Sequence, residues 1–153
     1  MPRFLGTIMP TQLKQQMAII GAAQIVGSGV GTLGHAAGVT LVGAVAARRI
    51  APVQLMVRYD HAVAAYTDGG LIVVSYGSTS ELAFATMANT LLTNASDYAR
   101  ILGEIDDTSV QGGDSAPRGI NQPLTLHSLS PFTNPGSASG VLQITTYYYE
   151  VTD

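Results

Sequence analysis

The chain has 153 residues, of which 10 are acidic and 7 basic for a net charge of −3; 46% are hydrophobic and only 11% charged. That length suffices for one domain with a substantial core and is cramped for two. An acidic balance with scattered basic residues excludes the basic stripe of a nucleic-acid binder. The absence of cysteine excludes disulfides, thiolate metal sites and a cysteine nucleophile.

The charged fraction is under half of the roughly 25% usual in soluble proteins. Lone monomers cover their surface with charge, and interface cores are depleted in it, so much of this surface is expected to face other protein. The alternative is a secreted β-protein with a Ser/Thr-rich face.

Residues 1–16 carry Pro2 and Pro10 and read as an extended arm. Lys14 before Met17 to Val26 loosely imitates a secretory signal, but the polar leader is long and Gln24 interrupts the apolar part. Met17 to Ala47 holds no Asp, Glu, Lys or Arg and is long enough to span a bilayer. Seven glycines, with Gln24, Ser28, Thr32 and His35, argue against a spanning helix. The stretch divides instead into Gln15 to Val26, a short helix or strand; Gly27 to Gly38, a flexible link; and Val39 to Ala46, a strand. An exposed apolar arm would be a sticky patch, so residues 1–37 are expected to pack on a neighbouring subunit. Phe4, Leu5, Met17, Ile19, Ile20, Ile25 and Val26 are the candidate contacts.

Val53 to Tyr59 reads as a strand, Tyr66-Thr67-Asp68-Gly69-Gly70 as a turn and Leu71 to Tyr76 as a returning strand, because Asp-Gly is a strong hairpin signal. Glu81 to Thr93 has an apolar face at helical spacing, with Ser80 as cap. Tyr98 to Leu102 resumes as a strand. Glu104 to Gly119 is a long loop with Asp106, Asp107 and Asp114. Ile120 to Leu129 is a strand, Pro131 to Gly140 a second hairpin loop, and Val141 to Val151 the final strand. The second unit echoes the first: Phe132-Thr133-Asn134 stands where Tyr66-Thr67-Asp68 stood, and both are read as fold-determining turns. Six or seven strands and one short helix predict an all-β antiparallel sandwich or jelly roll over residues 38–153, preceded by the arm.

No constellation supports chemistry. His35, His61 and His127 lack metal-ligand spacing. The acidic loop does not match a calcium-binding pattern. Gly136 to Gly140 is not a nucleophile elbow, and Gly29 to Gly34 spells G-x-G-x-x-G without the strand, helix and acid that motif needs. Tyr147 to Tyr149 could stack on sugars, but alternating core and rim positions on a strand are the favoured explanation. No catalytic, cofactor-binding or metal residue is expected, and no cofactor.

The runs Val39 to Ser78 and Asn121 to Val151, with the Tyr-Thr-Asp-Gly-Gly and Phe-Thr-Asn segments, resemble small tailed-bacteriophage virion proteins of the capsid decoration or cement type. The resemblance implies a non-enzymatic protein on the capsid surface that binds the major capsid protein or other virion proteins and stabilises the head. It implies a homo-oligomer, a trimer by analogy, with neither nucleic acid nor membrane as partner. On this reading, removing residues 1–37 should abolish attachment and leave a folded sandwich. The alternative is a tail- or fibre-associated module that binds host glycans or other virion proteins.

Overall fold

The computed structural model describes residues 12–77, 82–103 and 119–152. Phe4, Leu5, the proposed cap Ser80, Glu81 and the acidic loop at 104–118 lie outside the described residues.

Two four-stranded sheets form the body. Sheet I takes β1 (Lys14–Ile20), β10 (Val141–Val151), β3 (Arg49–Asp60) and β7 (Tyr98–Leu102) in that spatial order. Sheet II takes β2 (Val39–Val42), β8 (Leu124–Ser128), β5 (Ile72–Tyr76) and β6 (Leu82–Met87). Every pair within them is antiparallel. The chain alternates between sheets, from β1 in I to β2 in II and β3 in I, then β5 and β6 in II, β7 in I, β8 in II and β10 in I. This is a jelly-roll-like sandwich. Side chains alternate along each strand, so one face of each sheet supplies the core. Leu55, Val57, Leu142 and Ile144 of sheet I join Ile72, Val74, Leu124 and Leu126 of sheet II in one buried cluster.

Neither repeated stretch is a hairpin. β3 and β5 belong to different sheets, and so do β8 and β10. Each unit is a crossover, the first running from sheet I to II and the second from II to I. Their linking segments pair with each other: β4 (Thr67–Asp68) lies antiparallel to β9 (Phe132–Thr133), with Thr67 opposite Thr133 and Asp68 opposite Phe132. Tyr66 and Phe132 are buried, and the Tyr66 hydroxyl donates to the Gly140 carbonyl at 2.8 Å. Burial, with Tyr59 nearby, pushes the Tyr66 pKa up to about 12. Asn134 Oδ1 accepts from the backbone N–H groups of Gly136 and Ala138, and its Nδ2 donates to the Ala138 carbonyl, so one side chain shapes that loop.

Residues 12–37, read from the sequence as part of an arm, contribute to the same body. β1 pairs along its full length with β10. The one-turn helix α1 (Ala22–Val26) follows it, and Ile20, Ile25 and Leu33 are fully buried. The glycine-rich link is held by backbone hydrogen bonds from Leu33 N–H to the Gln24 carbonyl at 2.8 Å and from Ser128 N–H to the Leu33 carbonyl at 2.7 Å. Gly27 and Gly34 allow this close packing: a Cβ on Gly27 would overlap Thr32, and one on Gly34 would lie 2.7 Å from the Gly27 carbonyl oxygen.

The helix expected over Glu81 to Thr93 is replaced by β6, and only α2 (Thr90–Thr93) is helical. Pairing with β5 overrides a weak local preference: Met87 lies opposite Ile72 and Thr86 opposite Val73. Among the described residues there are therefore two short helices rather than one. Pro52 sits inside β3 beside a register shift against β10, and β7 pairs only from Leu55 onward, so its missing N–H breaks no continuous ladder.

Candidate interaction surface

The outer face of sheet I follows from the alternation of four strands. On β1, Gln15, Met17 and Ile19 point away from the core, and their neighbours across the register do the same. Met17 lies opposite Thr145, Thr145 opposite Met56, and Met56 opposite Ile101, so one row crosses all four strands. The next row runs Ile19, Gln143, Arg58, Ala99, and a third runs Gln15, Tyr147, Gln54.

Met17, Ile19, Met56 and Ile101 are 51, 61, 43 and 58% exposed. Arg58 is the single charge in the three rows, and its Nε donates to Asp60 Oδ1 at 2.9 Å. Tyr147 is half-buried, and its hydroxyl donates to Met56 Sδ at 3.6 Å. A groove lined by Met56, Val57 and Arg58 of β3, Ala99, Arg100 and Ile101 of β7, and Gln143 and Thr145 of β10 lies along this part of the sheet. Methionine, isoleucine, tyrosine and glutamine with one compensated arginine make the composition of a contact surface.

The end of the same sheet is tied by charge. Glu150 is buried and accepts from Lys14 Nζ at 2.7 Å and Arg48 Nη1 at 2.8 Å. The Lys14 hydrogen bond, aided by Arg48 and opposed by burial, holds the Glu150 carboxyl below its usual range. The pair joins the start of β1 to the end of β10.

Among the described residues, the centre of sheet II offers no comparable face. Val73, Ser75, Thr125 and His127 lie on the side of β5 and β8 away from the shared core, and all four are buried. Ser75 Oγ lies 3.2 Å from His127 Nδ1, and Thr125 Oγ1 donates to the Gly77 carbonyl at 2.8 Å. Burial pushes the His127 imidazole toward its neutral form. A buried Ser–His contact of this kind is a satisfied polar network; a nucleophile for acyl transfer must meet its substrate.

Of the residues expected to make contacts, Met17 and Ile19 lie on the exposed face and Val26 is half-buried. Ile20 and Ile25 are placed in this chain's own core. Sequence reasoning missed Met56, Ile101, Gln143 and Tyr147 as one surface, because their adjacency depends on which strands are neighbours. The tyrosine triplet is split: Tyr148 is buried in the core, while Tyr147 and Tyr149 are half-buried in the alternate positions. Among the described residues no group of three or more His, Asp or Glu side chains could hold a metal ion. No described helix is long and apolar enough to cross a membrane.

No family model matches the chain. No curated protein matches it either. Among solved structures, a chain of the cyanophage Pam1 capsid asymmetric unit is similar, with a TM-score of 0.51 over 92% of this chain and 86% of that one at 12% identity. At that identity the likeness is one of fold: this double-sheeted architecture is shared with a chain of a phage capsid asymmetric unit.

Proposed function

We propose that this protein is a non-enzymatic structural component of a phage virion, attached to the capsid surface as a decoration or cement protein. It acts as a homo-oligomer whose partners are the major capsid protein or other virion proteins. The observation that carries the proposal is the shared fold with a phage capsid chain over nearly the whole length. The charge-poor outer face of sheet I supplies a contact surface suited to that role. Four exposed apolar side chains in adjacent rows carry little desolvation cost, and repeated copies on a lattice multiply modest contacts.

The test uses the double variant Met56→Lys, Ile101→Lys. Both side chains point away from the core, so the fold should survive, as thermal unfolding will verify. Binding to capsids lacking the protein should fall at least tenfold. Unchanged binding by the folded variant would remove this face from the contact. Binding to glycans instead of capsids would favour the tail- or fibre-associated role.

A further inference from the structure

We propose that β1 is an open edge that pairs with β1 of a second copy, antiparallel across a two-fold axis centred on Met17. An exposed edge strand presents a row of unpaired backbone groups, and proteins protect such edges with charge, bulges or brevity. Three of the four edges of the two four-stranded sheets are protected. β2 is four residues long and carries a register shift against β8. β6 meets β5 across another register shift. β7 is five residues long and has Arg100 at its centre.

Among the described residues, β1 has none of these devices and no strand on its outer side. It is seven residues long and pairs with β10 in unbroken register. Its one charge, Lys14, stands at its first position and is engaged by Glu150. The remaining Gln15-Gln16-Met17-Ala18-Ile19-Ile20 is uncharged, and most of it is exposed. Left open, such a strand is an aggregation site.

The register follows from symmetry. Met17 is the middle residue of β1, so only an axis there overlaps all seven residues. Met17 then faces its own copy, Gln16 faces Ala18, and Gln15 faces Ile19. The two Lys14 side chains fall at opposite ends of the pair, about 20 Å apart at roughly 3.4 Å per residue, so no like charges oppose. On the outer face, the row Ile101, Met56, Thr145, Met17 meets its own copy and continues across an eight-stranded sheet.

This contact is independent of what the outer face binds, and its test is separate from that of capsid attachment. The chain has no cysteine, so single-cysteine variants are unambiguous. Met17→Cys should cross-link to a dimer under mild oxidation, because directly opposed antiparallel residues lie within disulfide reach. Ile101→Cys, on the protected edge, should cross-link at least tenfold less. The unmodified chain should sediment as a concentration-dependent dimer, and Met17→Lys as a folded monomer by circular dichroism. Failure of Met17→Cys to cross-link above the Ile101→Cys background would overturn the proposal. So would a wild-type monomer at every concentration, or a trimer without the Met17 cross-link. A Met17→Lys variant that is misfolded leaves the cysteine comparison to decide.

Discussion

Glu150 shows how much one side chain decides at the residue scale. It is buried at the end of sheet I, and its contacts with Lys14 and Arg48 hold the first strand to the last. Its folded pKa is depressed below the ordinary 4.5. Its contribution is therefore fully present above about pH 4.5 and is lost as the pH falls through the lower folded value. Acid titration of stability should show this loss in the wild type and a flatter profile in Glu150→Gln. At neutral pH the substitution should cost on the order of 1 kcal/mol, because both cationic partners remain partly solvated. Gly69 acts through space and backbone alike. Its φ is +76°, and a Cβ there would overlap the Phe132 ring. Gly69→Ala should lower stability by about 2 kcal/mol or more, whereas Gly43→Ala, which opens into free space, should be nearly neutral by denaturant unfolding.

At the scale of elements, β1 and the turns after it are part of the sandwich. Ile20, Ile25 and Leu33 each contribute roughly 1.5–3 kcal/mol through burial, together comparable to the 5–15 kcal/mol total of an ordinary domain. A chain lacking residues 1–37 should lose cooperative unfolding, measured by circular dichroism, instead of leaving an intact body. The sequence made most strands legible. Alternating side chains marked β3 and β10, and the two aromatic-Thr-(Asp/Asn) segments announced a real correspondence. What remained illegible was partnership. A strand, an Asp-Gly turn and a second strand read alike whether the second pairs with the first or crosses to the facing sheet. The spacing held a clue: eleven residues separate Asp60 from Ile72, far more than a tight hairpin needs. β6 was hidden because Leu82, Ala85, Leu91 and Leu92 fit a helical spacing, yet Leu82 and Ala85 belong to a strand paired with β5 and only Leu91 and Leu92 to a helix. The outer face of sheet I was hidden for the same reason. Met17, Thr145, Met56 and Ile101 are far apart in the chain and become a row only through three strand pairings.

At the scale of the whole molecule, the two faces of the sandwich differ in kind. On its two central strands, β5 and β8, sheet II buries even the side chains that point away from the shared core, whereas sheet I presents apolar and uncharged polar groups to the outside. Under the proposed function such an asymmetric body suits a lattice: one face would dock on it, and the edge at β1 would join neighbouring copies. The low charge of the chain is then a property of the assembled surface. Quantitative mass spectrometry of purified virions tests this account most directly. Copy number in the hundreds, in fixed ratio to the major capsid protein, is the predicted result. A handful of copies per particle would place the protein at the tail or portal and contradict the account.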